Sequence, residues 1–346
     1  MNSRPALPLL LILALMPAGL AQAGSGAAAA RVAGGLVDDS GEWLRVAFEC
    51  RDLLLQRRFA ELEARGQDWN RTQARSPSGS WLLESYFHYL APIDTRVDET
   101  VWQNYAQLHA GWRTSLAAPS AVQLVAEAMF WSAYARTTGG TARAVPPPPE
   151  KLALANEYWS RAESTLRDNW ALAATVPTAY TALAGMFRLR GWTREQCETL
   201  YAEGLRRYPS YHPLHLAHGT LLRLHDATRE IAPWAWNVTA GQPEAHRHEI
   251  YARVAWSHAG TGPTALADGG YDWAKVRAGF EVLRERWPQS GHIVNRYARF
   301  AWQAGDRETA RRLLPLIGDR PILVTWRNRE TFESFRQWAG GALGAP

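Results

Sequence analysis

Gly191-Trp192-Thr193-Arg194-Glu195-Gln196-Cys197-Glu198-Thr199-Leu200-Tyr201-Ala202-Glu203-Gly204-Leu205-Arg206-Arg207-Tyr208-Pro209-Ser210 decides the fold, because the chain carries the unit twice. Gly270-Tyr271 opens the second copy, Trp287-Pro288 closes it, and Ser290 lies just beyond. In the first copy Cys197, Leu200, Tyr201, Leu205 and Tyr208 recur at helical spacing; in the second, Val276, Phe280, Leu283 and Trp287 do. Each set is one stripe of a 3.6-residue helix. The spacing predicts helices over Thr193 to Tyr208 and Asp272 to Trp287, each leading a helix-turn-helix, since Pro ends a helix. Cys197/Val276, Tyr201/Phe280 and Tyr208/Trp287 should then be equivalent buried positions. The fold class this implies is all-α, built of stacked helical hairpins.

The rest of the chain extends the pattern. Helices are expected over Glu42 to Gln56, from Phe59 past Trp69, across Trp81, Leu82, Tyr86 and Tyr89, and over Asp98 to Leu116. Ser120-Ala121-Val122-Gln123 and Thr193-Arg194-Glu195-Gln196 read as capping boxes. Glu150 to Trp170, Pro177 to Leu189, a His-rich helix opened by Pro213, and Glu244 to His258 follow. Asp226 to Pro243 reads as irregular, and Thr261 to Gly270 as a loop. Ile293, Tyr297, Phe300, Ala301 and Ala304 stripe a last hairpin, Gly305-Asp306 turns it, and Ala310, Leu313 and Leu314 answer. In domains, residues 1–23 read as a signal peptide, 24–41 as a flexible lead-in, and 42–340 as one helical-repeat-like domain with a Pro-rich loop at 137–149.

Arg4, the apolar run Leu9 to Leu15 and Ala21-Gln22-Ala23 have the order of a Sec-type signal peptide cleaved after Ala23. The expected location is periplasmic or secreted. The run is too short to span a bilayer, so stable membrane insertion after processing is not expected. Of 38 basic residues only Lys151 and Lys275 are lysines, a bias of a GC-rich bacterial genome that discounts the pI of about 9.3. The arginines alternate with Glu on helices as a solvated mixed-sign face, and no nucleic-acid partner is expected. Cys50 and Cys197 sit on apolar stripes and read as two buried thiols, with no disulfide.

Tyr297-Ala298, Ala301, Gly305-Asp306 and Ala310 resemble the small-residue and Gly-Asp turn pattern of tetratricopeptide hairpins. Leu54-Leu55-Gln56-Arg57-Arg58-Phe59-Ala60-Glu61-Leu62, Trp81 with Tyr86 and Tyr89, Trp112 with Pro119-Ser120, and Gly191-Trp192 resemble a bacterial family of unknown function, DUF4034. Tyr251-Ala252-Arg253, Trp273 with Phe280, and Asn295 with Gly305-Asp306 continue that resemblance, which covers roughly Gly41 to Gly318. It implies a helical-repeat-like fold, a tetratricopeptide-like α-solenoid or helical array, and supplies no site residues. Where that family has Trp-Gly-Gly, this chain has Pro233-Trp234-Ala235-Trp236.

Candidate chemistry is sparse. His212, His215, His218 and His225 are the densest set of metal-type ligands, but no carboxylate or Cys completes a zinc pattern, so no metal is expected and the histidines read as a groove-lining or solvated stripe. His248-Glu249 begins a zincin motif that Ala252 breaks. Glu84-Ser85 resembles the catalytic start of lytic transglycosylases, without the glycine-rich signature that follows there. Trp234 and Trp236, in the irregular segment, could stack on a sugar or peptide, or fold back on the core. Trp234, Trp236, His215 and His218 are therefore the candidate binding residues; no catalytic residue and no cofactor are assigned. The expected function is an exported α-helical scaffold that binds a protein or peptide. The alternative is a carbohydrate-active enzyme of helical-toroid type, which needs two acids about 5 to 9.5 Å apart in one cleft.

Overall fold

The computed structural model describes residues 35–93, 98–139, 147–186 and 191–341. The signal-peptide reading, most of the lead-in and residues 140–146 of the Pro-rich loop fall outside them. Eighteen α-helices account for the architecture of the described residues, and extended pairing among them is confined to isolated bridges, Val37 with Ser290 and Arg75 with Trp81. The protein is all-α, an array of helical hairpins. No helix among the described residues is long and apolar enough to cross a membrane.

The described residues form two compact units. One takes Ala47–Gln67 and the described part of Tyr86–Arg190; the other takes the described parts of Ala29–Val46, Asp68–Ser85 and Gly191–Pro346. Both sides of the Pro-rich loop fall in the first unit. Along the chain, α1 (Glu42–Leu55), α2 (Phe59–Thr72), α3 (Leu82–His88), α4 (Glu99–Ser115), α5 (Ala121–Gly139), α6 (Pro149–Arg167), α7 (Trp170–Ala173) and α8 (Thr178–Ala184) come first. Helix α5 is the centre of the first unit. It is apolar nearly all round, with Val122, Leu124, Val125, Ala126, Phe130 and Trp131 among its buried residues, as a fully packed helix must be. Aromatic rings stack across it: Trp102 on Tyr134 at 4.6 Å and Tyr134 on Tyr158 at 4.1 Å. Of the Ser120 capping box only half forms. Gln123 N–H reaches Ser120 Oγ at 3.4 Å, but the Gln123 amide donates to buried Glu127 instead of turning back.

In the second unit the helices are α9 (Arg194–Arg207), α10 (His212–Leu224), α11 (Ile231–Asn237), α12 (Glu244–His258), α13 (Ala265–Asp268), α14 (Trp273–Arg286), α15 (Gly291–Gln303), α16 (Arg307–Ile317), α17 (Leu323–Trp326) and α18 (Arg329–Gly340). Two corrections to the sequence reading stand out. The segment read as irregular holds a 3-10 turn at Thr228–Glu230 and helix α11; Pro233 is tolerated because it lies in the first turn, where its missing N–H has no partner to lose. The loop before Gly270 holds α13.

The hairpins α9–α10 and α14–α15 correspond residue for residue, offset by the 79 positions that separate Gly191 from Gly270. Both glycines have φ near +70°. Thr193 caps α9 in a closed capping box, and Asp272 caps α14 through Ala274 and Lys275 N–H. The C-caps Tyr208 and Trp287 share one backbone conformation, φ −133° and −128°, ψ 63° and 66°. Both are half-buried, while Cys197, Val276, Tyr201 and Phe280 are buried. Beyond α10 and α15 the chain exits through Asp226 (φ 57°) and Gly305 (φ 71°), with Ala227 N–H bonded to Leu222 and Asp306 N–H to Ala301, each at 2.9 Å. Small and large residues trade places between the copies, Leu200 for Gly279 and Gly204 for Leu283. Gly279 lies against His248 carbonyl oxygen and Ala252 Cβ, so a side chain there would collide with α12.

The described end of the lead-in is docked. Leu36 joins the core of this unit, Val37 N–H donates to Gln289 at 2.8 Å, and Gly291 N–H donates back to Val37 at 2.9 Å. Asp39 accepts from Ser290 Oγ at 2.6 Å and from His292 N–H at 2.9 Å. It thereby satisfies an orphan amide at the start of α15, next to the cap that Ser290 itself provides.

Candidate functional site

The histidine stripe of α10 is core. His215 and His218 are 2% and 3% exposed, and in the second hairpin their positions hold Val294 and Tyr297, at 2% and 0%. His218 stacks on Trp234 at 3.9 Å and meets the ring of Tyr201 edge-on at 4.8 Å, where the second hairpin pairs Phe280 with Tyr297. Burial pushes both imidazoles down to about 4. His212 is buried as well, and only His225 of this stripe is exposed. The reading of a groove-lining or solvated stripe is thus corrected. Among the described residues no three His, Cys, Asp or Glu side chains converge to hold a metal ion.

Trp234 and Trp236 do not form one platform. Two residues on a helix stand about 200° apart, so the rings face different neighbours. Trp234 packs on His218 and His215, whereas Trp236 is met by Arg247 at 3.7 Å, Lys275 at 4.6 Å and the edge of Tyr251. The structure therefore brings together His215, His218 and Trp234 of the four candidates, as packing, and places Trp236 elsewhere.

A second cluster, absent from the sequence reading, surrounds the turn at residues 74–81. Glu249 is buried between Arg253 (2.9 Å) and Arg286 (2.5 Å), and Arg253 also donates to Ser78 carbonyl at 3.2 Å. Gly79 has φ +74° and lies against Trp287 and Arg253, so only glycine fits both the backbone and the space. Arg75 stacks 3.6 Å over Trp81 and donates to the carbonyls of Gln73 and Gly79. Burial and neighbouring Arg253 pull its guanidinium down to about 10. Glu84 accepts from the Tyr211 phenol. These contacts pin the turn to α12 and use the carboxylate of the broken zincin motif as a structural counter-ion.

A third arrangement is different in kind. On α15, His292, Arg296, Arg299 and Gln303 fall within about 60° of one another at 100° per residue. Arg299 is buried and spans two segments, donating Nη1 to Thr325 carbonyl and Nη2 to Thr261 carbonyl at 3.2 Å. Gln303 donates to Gly262 carbonyl at 2.8 Å. Trp256 closes the other end: His292 meets it edge-on at 4.9 Å, and Arg296 lies 5.1 Å from its ring centre. Four buried polar atoms of this strip have no hydrogen-bond partner: His292 Nε2, Arg296 Nε, Gln303 Oε1 and Thr325 Oγ1. Leu323 and Val324, the two residues before Thr325 on α17, are each 48% exposed. No described carboxylate pairs with Arg296, Arg299 or Arg327. The spacing i, i+4, i+7, i+11 was readable in the sequence; the missing partners were not.

The other buried carboxylates are occupied. Glu63 accepts from Trp112 Nε1 at 3.0 Å, Gln67 at 2.8 Å and Ser120, and Glu127 from Arg113 at 2.7 Å and Gln123 at 2.8 Å. A surface hollow of about 400 Å³ is lined by Arg277, Glu281, Glu308 and Arg312, where Glu281 pairs with Arg284 and Arg312. Cys50 and Cys197 are buried free thiols, and burial pushes them up to about 12 and about 11, away from reactive thiolate. Comparison with family models, curated proteins and solved structures returns no match.

Proposed function

We propose that the second unit is a binding module for a protein or peptide segment, docked along α15 beside α17, within an exported helical scaffold. The observation that carries this reading is a strip of unpartnered buried polar atoms around two guanidinium groups that no described carboxylate answers; α10 also leaves Nδ1 of His212, His215 and His218 unpartnered, but on rings that burial keeps neutral. Each buried polar group left without a partner costs about 1–3 kcal/mol. Three of the four lie on one face of α15 and the fourth on α17, and a segment that opens this strip as it docks would offset the cost. Leu323 and Val324, exposed on α17, suit the side chains of an extended segment. The export part of the proposal rests on Arg4, the Leu9 to Leu15 run and Ala21-Gln22-Ala23.

Selection of displayed random dodecapeptides against the protein tests the reading. Recovered peptides should bind the parent and lose most of their affinity for Gln303→Ala and Arg296→Ala. Selection without binders, or binders indifferent to both substitutions, overturns it.

A further inference from the structure

We infer that the group this strip recognises is a carboxylate carried on an acidic peptide, held by Arg296; the inference rests on the docking reading above. The comparison between the twin hairpins leads to it. The positions of His292, Arg296, Arg299 and Gln303 are held in α10 by Pro213, Ala217, Thr220 and Leu224. Both helices have 13 residues, matching turns and matching exits. The backbone is built without a charge at any of these four positions, so the fold does not demand the guanidinium groups of α15.

Their charge is also uncompensated. A guanidinium remains protonated throughout the physiological range. Arg299 spends its donors on two neutral carbonyls, Arg327 adds a third positive charge nearby, and no described acid answers any of them. Arg296 has a buried Nε–H with no acceptor. Elsewhere in this unit arginines find carboxylates: Arg253 and Arg286 find Glu249, Arg312 finds Glu281, and Arg336 finds Glu333. The planar fork of a guanidinium matches a carboxylate in two parallel hydrogen bonds.

A peptide fits better than a nucleic acid. His292 to Gln303 spans about 16 Å of helix, the length of about five extended residues. Leu323 and Val324 offer apolar contact on α17, where a phosphate backbone has none to give. Single-stranded nucleic acid wants open aromatic faces. Trp256, the aromatic of this strip, is already covered by Phe280 and Arg296.

The test is fluorescence anisotropy with three labelled hexapeptides, (Glu-Leu)3, (Gln-Leu)3 and (Lys-Leu)3, and a labelled oligothymidylate. The parent should bind (Glu-Leu)3 at least tenfold more tightly than (Gln-Leu)3, and (Lys-Leu)3 least. Arg296→Ala, which installs the residue of the twin, should bring the first ratio close to one. Arg296→Lys should keep part of it, and Arg336→Gln, on a paired surface arginine, all of it. Melting curves establish that each variant is folded. Equal binding of the Glu and Gln peptides would overturn the carboxylate inference and leave peptide docking standing. Binding of neither would overturn both, and preference for the oligonucleotide would replace the peptide as ligand.

Discussion

Helices α9 and α14 have 14 residues each, α10 and α15 have 13 each, and the C-caps that open the turn between them, Tyr208 and Trp287, adopt the same backbone. What differs is the chemistry laid on that backbone. The first hairpin places histidines where the second places valine and tyrosine, and the second places arginines where the first places alanine and threonine. The two differences teach opposite lessons. His215 and His218 occupy positions whose counterparts are plainly core, so their polarity is incidental to packing. Arg296 and Arg299 occupy positions whose counterparts are small and uncharged, so their charge is additional to packing.

The comparison breaks most readily at the aromatic pair that closes each hairpin. Phe280 is fully buried and stacks on Tyr297 at 5.1 Å; Tyr201 is buried and meets His218 at 4.8 Å. Phe280→Ala and Tyr201→Ala should each cost about 3–5 kcal/mol in urea unfolding. A Phe280→Ala protein that melts like the parent would dissolve the equivalence.

Acid should separate the hairpins next. His215 has a folded value of about 4 against an ordinary value of 6.5, so it is neutral in the native state and takes up a proton on unfolding. Its contribution is fully present above pH 6.5 and is lost as pH falls towards 4. His218 and His258 at about 4, and His292 at about 3, act in the same direction. Chemical denaturation should show stability level above pH 7 and falling steeply below 6. His215→Val, the residue of the twin, should recover on the order of 2 kcal/mol at pH 5 relative to its effect at pH 7.5, since the packing change is common to both pH values. An identical effect at both would mean the imidazole titrates normally.

The hairpins were legible because their marks are local: caps at Thr193 and Asp272, aromatic-Pro turns at Tyr208 and Trp287, and stripes between. Helix α11 was not, because Pro233 and Pro243 look like breaks until the helix start is known to lie at Ile231. The histidines were misread although the offset of 79 residues already set them opposite Val294 and Tyr297. The arginine strip was hidden in a chain rich in arginine. What distinguishes Arg296 is the absence of a nearby acid, a fact of three-dimensional arrangement.

If Arg296 serves a ligand, removing it should help the free protein. Arg296→Ala eliminates a cation whose Nε–H is buried without an acceptor. It should raise stability by about 1–3 kcal/mol while peptide binding falls. A loss of stability on the same scale would make Arg296 a structural residue and remove the contrast with Ala217.

The smallest effect concerns the exits. Asp226 and Gly305 hold the same left-handed conformation at the same place, φ 57° and 71°, but only glycine has no Cβ to crowd the following carbonyl. Asp226 is exposed, and its side chain makes none of the hydrogen bonds that hold this turn, which runs through the backbone from Ala227 to Leu222. Asp226→Gly should therefore stabilise the first hairpin by roughly 0.5–1 kcal/mol, the relief of the left-handed strain outweighing the extra freedom glycine gives the unfolded chain. Gly305→Asp should cost a similar amount in the second. Opposite signs of nearly equal size in thermal unfolding are the expected result. Destabilisation by both substitutions would mean that the two exits, alike in backbone, are held by different forces.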